Sequence, residues 1–543
     1  MNIGYEKRQD NPPQETNVLI IGGGPVGLSV AVELGRRNID CIIVEPRLIV
    51  SHLRPRAKTV NVRTMEHFRR WGLAERIREV APLRVDWSQD VVFCTTLLGY
   101  EVMRFTGCFG LSPQRTDMFA ESGQQMAQPL VEEVLREAVS DLEPCHLCLG
   151  WSLQTLHQYD DGVMTSIVNE RGEQRQVKAS YVIGCDGARS VVRTAIGGHY
   201  VGTSDSRPNF GLVFRAPGLA ERHPHGPAVQ YWVLNPASPG LLGRMDMEDL
   251  WWAGVNGVSA EAGLANPYAL IRGLVGIDID AQVVGTDPWI ARMLLADRYR
   301  NGRVFLAGDA AHLNPPWGGH GFNTGVGDAV NIGWKLAAVL DGWGGDCLLA
   351  SYEAERRPIA EQTIQEATTN MSVLAPELGN ADLAVSGQVG EQARRAAAQV
   401  IRTSKDREFH SLGLVLGYQY DASPVIVNDG TPSLSVGQNY EQTAQPGARL
   451  PHLWLSERVS LYDRLGSGLS LLRLSNDADM VPFIEAADVR GVPLSVIDLR
   501  GHALEERYGA SLLLVRPDQH VAWRGTSVDR PTAEIIIDQV RGY

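Results

Sequence analysis

Apolar and polar positions follow one another along the chain in blocks whose period predicts strands and helices in turn. Asn17-Val18-Leu19-Ile20-Ile21 is a short run rich in β-branched residues; Gly22-Gly23-Gly24-Pro25-Val26-Gly27 and then a helix-like stretch from Leu28 to Gly35 follow it. A second strand, Cys41 to Val44, ends in Glu45. Val62, Met65, Phe68 and Trp71 recur at spacings of three and four, which predicts a helix after the basic segment Arg54 to Thr59. Gln128 opens a further amphipathic helix that runs to Arg136. From Leu147 to Val191 the pattern turns to β, with a hairpin about Glu170-Arg171-Gly172 and a buried strand from Tyr181 to Cys185 that stops at Asp186-Gly187. Between Asn209 and Val284 the alternation is aromatic-rich, with Tyr231-Trp232-Val233 and Leu250-Trp251-Trp252. That block predicts an inserted antiparallel sheet, one face of it forming a pocket wall.

Val304 to Ala307 is a buried strand ending in Gly308-Asp309, followed by a proline-stiffened, glycine-rich loop and a helix expected to open at Gly325. Such a loop leaves main-chain N–H groups unpaired, and with a helix N-terminus behind them they seat negative charge. Helical patterns continue to Lys405, the stretch from Asp429 to Gly447 reads as a linker, and the remainder is a separate α/β pattern.

The chain has 543 residues, 44% of them hydrophobic, enough for two or three domains with cores of their own. Its net charge of −13 is spread without basic runs, which argues against a nucleic-acid partner and implies mainly solubility. The polar start, Met1 to Pro13, reads as a loose arm, and no apolar run reaches the roughly 18 residues of a membrane span. Seven cysteines without framework spacing point to reduced thiols in a cytoplasmic protein. Cys145-x-x-Cys148 lacks a second pair, so it reads as strand thiols and no metal site is expected.

The glycine motif gains weight from its surroundings: a strand before it, a helix after it and an acid roughly 20 residues on, the arrangement of a dinucleotide site. Glu45 favours a free ribose 2′-hydroxyl, hence FAD or NAD over NADP at this motif. Arg54 and Arg56 are either pyrophosphate partners or solvated loop charge, and Gln128 either reaches a cofactor or caps its helix.

Gly22-x-Gly24-x-x-Gly27, Arg54 to Lys58, Asp186-Gly187 and Gly308-Asp309 with its loop stand in an order and separation that resemble the flavoprotein aromatic hydroxylases, single-component FAD-dependent monooxygenases of the para-hydroxybenzoate hydroxylase type. The resemblance covers residues 17 to 405. Beyond it, Leu416 to Tyr420, Pro446 to His452 and Val515 to Asp518 resemble the subgroup with a thioredoxin-like C-terminal domain, which includes phenol hydroxylases and hydroxylases of aromatic polyketides. No cysteine follows Cys347, so that domain is expected to act in structure or assembly, not in redox chemistry.

The resemblance implies an α/β fold: a flexible arm (1–16), a Rossmann-like FAD-binding domain (17–85, 113–190 and 295–405), an inserted antiparallel-sheet substrate domain (86–112 and 191–294), a linker (406–445) and the thioredoxin-like domain (446–543). It implies that Gly22, Gly24, Pro25 and Gly27 admit the FAD pyrophosphate, that Glu45 binds the adenosine ribose, and that Arg54, Arg56 and Gln128 hold the phosphates and ribityl side. Gly308 and Asp309 would take the ribityl chain, and Pro316, Gly319, Gly321, Phe322 and Asn323 would lie against the isoalloxazine. Asp186 and Arg189 would bind flavin and meet NADH or NADPH. The implied reaction is reduction of FAD, capture of O₂ as a C4a-hydroperoxide and transfer of OH⁺ to an electron-rich ring. Amides of Gly321 to Asn323 would stabilise the reduced ring, and Pro316, His320 and Gly321 are the expected catalytic positions. His320 stands where relatives carry a neutral amide or a lysine; protonated, it would raise the flavin potential, and neutral, it would only pack. Tyr231, Trp232 and Trp252 are substrate-wall candidates, and Tyr231, Asp246, His223 and His225 are candidates for a phenol-deprotonating base. The expected substrate is a phenolic or polycyclic aromatic molecule; epoxidation or Baeyer–Villiger oxygenation is the alternative, ahead of an oxidase or a non-catalytic flavin protein. A homodimer is compatible with this reading.

Overall fold

The computed structural model describes residues 12–54 and 58–543. Its first sheet runs in the order Arg300–Asn301, Val304–Leu306, Gln174–Gly184, Glu15–Ile21, Cys41–Glu45, Cys145–Leu149, and the last five strands are parallel. Val18 to Ile21 and Cys41 to Val44 are buried on both faces, as their unbroken apolar runs require when helices cover both sides of a parallel sheet. Helices Pro25–Gly35 and His320–Leu340 pack against each other beside this sheet. The hairpin Trp151–Tyr159 and Gly162–Asn169 extends it antiparallel to Gln174–Gly184.

The second sheet has the order His312–Leu313, Gln282–Ala296, Tyr200–Arg215, Leu250–Asn256, Gly240–Arg244, Gln230–Val233, Val91–Cys94, Glu101–Phe105. Only Gln230–Val233 and Val91–Cys94 run parallel in it. The chain leaves the first sheet at Leu306 and enters the second at His312, so Gly308-Asp309 lies on the seam between them. No helix among the described residues is long and apolar enough to cross a membrane.

The C-terminal module has the strand order Leu494–Asp498, Leu469–Arg473, Leu512–Val515, Val521–Gly525, with the first pair parallel and the others antiparallel. Helices Val481–Val489 and Arg530–Arg541 pack together beside it, a thioredoxin-like arrangement. Buried charges fasten this module to the rest. Arg516 donates from both terminal nitrogens to Glu355 (2.7 and 2.8 Å) and to Asp518 (2.6 Å). Glu355 also accepts from Lys335 Nζ and Ser423 Oγ, each at 2.6 Å. The adjacent Arg356 donates through Nε to Asp328 (2.8 Å), whose other oxygen contacts His312 Nε2 at 2.9 Å and accepts from the Gly308 N–H at 3.1 Å.

Two expectations about helices are corrected. The helix after the glycine loop opens at His320, five residues before Gly325, because Gly318 and Gly319 (φ 89° and 69°) turn the chain and Gly319 caps the helix. Helix Gly387–Phe409 runs past Lys405, and the stretch that follows carries its own short helix, Leu412–Leu416.

Candidate active site

A cavity of about 1030 Å³ joins the glycine turn of the first sheet to the inner face of the second. At the turn, Gly22 holds φ +106°, and a Cβ there would stand 2.3 Å from the Cys185 carbonyl oxygen. A Cβ on Gly27 would stand 1.9 Å from the Gly22 oxygen, so both glycines are required by the protein's own backbone. Gly24 differs: a Cβ there meets no atom of the described residues within 4 Å, and the residue faces the cavity. Pro25 opens the helix at the position where a missing N–H costs nothing.

Glu45 is buried at the cavity wall. Its Oε2 accepts from the Gly23 N–H (2.8 Å), and its Oε1 accepts from Arg47 N–H (2.9 Å) and Nε (2.7 Å). Arg47 reaches on to Glu132 at 2.9 Å; an arginine two positions past a strand end carries no periodic signal in the sequence. Gln128 lines the cavity as the first residue of helix Gln128–Ser140, one position past the cap residue Ala127. Asp186 Oδ2 accepts from the Val191 and Val192 N–H groups (2.7 and 3.1 Å), while its Oδ1 is buried without a partner among the described residues. Burial pushes the Asp186 carboxyl above its ordinary range. Arg189 sits exposed on the rim.

Asp309 and Pro316 are exposed to the cavity. The loop is held from behind by Arg193, which donates to the Ala310 carbonyl at 2.9 Å, and by Tyr200 OH, which donates to the Asp309 carbonyl. The Asn323 side chain is fully engaged: it accepts from Asn61 N–H (2.9 Å) and Thr64 Oγ1 (2.8 Å) and donates to the Thr59 (3.0 Å) and Gly319 (2.7 Å) carbonyls. What the loop can offer a ligand here is therefore the first N–H groups of helix His320–Leu340, which have no intrahelical partner. Arg54 does not line the cavity; it is exposed and pairs with Asp287 at 3.1 Å. Arg56 lies outside the described residues.

On the second sheet Trp232 and Trp252 line the cavity. Trp232 stacks on Phe93 (5.2 Å, 21°), and Lys58 Nζ lies 4.4 Å from the Trp252 ring centroid while donating to the Arg244 carbonyl at 2.9 Å. Tyr231 is a correction. Strand neighbours point to opposite faces, so with Trp232 inward Tyr231 turns to the far side, where its hydroxyl donates to the Gly226 carbonyl at 2.5 Å among His223 and Trp251. His223 and His225 pack on that same far side, and Asp246 accepts from the Glu248 and Leu250 N–H groups in a turn, so none of these candidates reaches the cavity.

A family model described as an FAD binding domain matches residues 15–367, and one described as the C-terminal part of aromatic-ring hydroxylases matches residues 443–540. The chain belongs to the FAD-dependent aromatic hydroxylases. The hydroxylase is 31% identical to the FAD-dependent monooxygenase apdD of Emericella nidulans over 100% of its own length and 93% of the relative's. It is likewise 31% identical to a putative polyketide hydroxylase of Streptomyces halstedii, covering 93% of each. Among solved structures, chromopyrrolic acid-soaked RebC with bound 7-carboxy-K252c superposes with a TM-score of 0.89 at 34% identity, over 98% of this chain and 100% of that one.

The cavity of the hydroxylase fits FAD by its own chemistry. Gly24 leaves the space a pyrophosphate needs, Asp186 Oδ1 lacks the donor a cofactor hydroxyl or N–H would bring, and two helix N-termini face the same space. His320 is 4% exposed, its Nε2 has no partner among the described residues, and a Cβ on Gly318 would come within 2.4 Å of that atom. Burial pushes its pKa down to about 4, so the ring is neutral at pH 7 and adds no positive charge to the loop. Accordingly, His320→Gln should leave the reduction potential of bound FAD unchanged, and both proteins should show the same potential-versus-pH slope across the neutral range by spectroelectrochemical titration. A potential that falls in the variant would restore the charged reading of His320.

Proposed function

We propose that the hydroxylase uses NADH or NADPH and O₂ to hydroxylate a phenolic or polycyclic aromatic substrate in the cavity between its two large sheets. The observation that carries this reading is the continuity of that cavity from the glycine turn to the Trp232 and Trp252 wall. In this reading the pyrophosphate lies over Gly22, Gly24 and Gly27 at the N-terminus of helix Pro25–Gly35. Glu45, held rigid by the Gly23 N–H and Arg47, faces the ribose; Gln128, Asp186 and Asp309 meet the ribityl side; and Arg189 on the rim meets the nicotinamide donor. Bound FAD supplies electron storage and oxygen activation. The chain supplies the rest: the N–H groups of Gly321 and Phe322 stabilise negative charge on the flavin without offering a titratable proton, and the apolar walls keep water from the reacting oxygen. Asn323 contributes its main chain here, since its side chain is occupied.

The substrate class follows from the wall. Two indoles and a broad sheet face suit a flat aromatic molecule, and the putative polyketide hydroxylase among the relatives supports a polycyclic one. Seven free thiols support a reducing, cytoplasmic setting. A screen of phenols and polycyclic aromatics for compounds that accelerate NADH or NADPH consumption tests the reading: stimulation with a hydroxylated product is expected, and acceleration that yields only hydrogen peroxide with every compound would overturn it.

A further inference from the structure

Helix Gly387–Phe409 ends at the cavity with a charge pair that the flavin seat leaves unused. Glu408 lines the cavity and is 2% exposed, and its Oε2 accepts from Lys405 Nζ at 2.6 Å. Lys405 is fully buried; it also donates to the Asn370 carbonyl (2.8 Å), and its Nζ lies 4.5 Å from the Trp232 ring centroid. Trp232 lines the same cavity, and its Nε1 is buried without a partner among the described residues. On the facing loop, the Gly318 main chain pulls the Glu408 carboxyl down. At the start of the helix that follows, His320 is neutral at pH 7. One corner of the cavity thus combines a buried carboxylate, the ammonium that balances it and an indole N–H that lacks an acceptor.

We propose that Glu408 is the base that removes the hydroxyl proton of a phenolic substrate, with Lys405 holding the negative charge that then appears on the substrate oxygen. The inference rests on the phenolic reading above and deepens it. In the step, the phenol O–H bond breaks, a carboxyl O–H bond forms on Glu408, and the electron pair stays on the ring oxygen. The negative charge moves from carboxylate to phenolate beside the same ammonium, so the net charge buried in this corner does not change. That matters, because an uncompensated charge in such a place is costly. Burial pushes the Glu408 carboxyl above its ordinary range against the opposing pull of Lys405 and the Gly318 main chain, which makes its ionised form a better proton acceptor than a solvated carboxylate. Deprotonation enriches the ring that must accept an electrophilic oxygen.

The test uses the holoenzyme with oxidised FAD, no NADH or NADPH, and 4-nitrophenol, whose phenolate is coloured, at a mildly acidic pH where the free phenol is largely protonated. The wild type should bind it with phenolate absorbance and release no proton to buffer, because the proton stays on Glu408; calorimetry in buffers of different ionisation enthalpy counts the protons. Glu408→Gln should either lose the phenolate absorbance or keep it with release of about one proton per phenol bound. Should Glu408→Gln lose its flavin, Glu408→Asp, which keeps the charge but shortens its reach, should lower the phenolate fraction. Absence of binding, binding of neutral phenol to the wild type, or variants that match the wild type in absorbance and proton count would each overturn the assignment. A wild type that binds phenolate in this way but oxygenates no aromatic compound would leave Glu408 as the base and sink the proposed activity instead.

Discussion

Gly24→Val should cost the protein its FAD while leaving its fold in place. A Cβ at Gly24 meets no atom of the described residues within 4 Å and stands at the cavity wall, where the proposed pyrophosphate lies. The backbone there is extended (φ −76°, ψ 179°), a conformation any residue adopts, so the apoprotein should lose no more than about 1 kcal/mol at this helix N-cap. FAD affinity should fall by roughly 100-fold, about 2.8 kcal/mol, in a titration of apoprotein followed by flavin fluorescence. Gly27→Val provides the contrast, since its Cβ would stand 1.9 Å from the Gly22 oxygen and strand and helix could not keep their approach; loss of soluble protein is expected. Wild-type FAD affinity in Gly24→Val would remove the glycine turn from the cofactor site.

The second large effect concerns the C-terminal module. Arg516→Met leaves Glu355 and Asp518 buried beside each other without the cation that bridges them, and removing one partner of a buried pair typically costs about 3–5 kcal/mol. The pH dependence of that loss has a definite sign. Burial alone would raise these carboxyls, but Arg516 outweighs it, with help from Lys335 at Glu355; Glu355 is held well below the usual range and Asp518 at about 2. Their folded pKa values therefore lie below the unfolded values of about 4, so the stabilisation is full above that pH and is lost as pH falls through the folded values. The deficit of Arg516→Met in urea midpoint should accordingly be largest near neutrality and shrink toward about pH 3, where protonation removes the uncompensated charge. An equal deficit at both pH values, or one below about 1 kcal/mol, would show that the network does not fasten the module.

The parts of this molecule that were legible in its sequence are those where one physical constraint acts on neighbouring residues. The strand, glycine turn, helix and terminal acid around Gly22 to Glu45 could be read because two-sided burial, backbone proximity and helix periodicity each leave a local mark. Other features depend on what folding brings together. Tyr231 and Trp232 are adjacent and both buried; only the register with Leu242 and Leu241 fixes which one faces the cavity. The start of helix His320–Leu340 was hidden because glycines stand on both sides of it, and only the positive φ of Gly318 and Gly319 distinguishes loop from helix. Lys405 and Glu408, three apart on a helix, have the spacing of any solvated ion pair, and only the fold buries them. Arg449 donates to Glu66 at 3.1 Å across 383 positions, a contact no local pattern announces.

Hydroxylation in the shared cavity requires that one atom of O₂ reach an aromatic ring there. Purified holoenzyme should be yellow and, with NADH or NADPH, isotopically labelled O₂ and a phenolic or polycyclic aromatic that stimulates turnover, should yield a product heavier by one labelled oxygen, as read by mass spectrometry. Turnover that converts the aromatic with oxygen from water, or consumes O₂ without labelling any product, would contradict it.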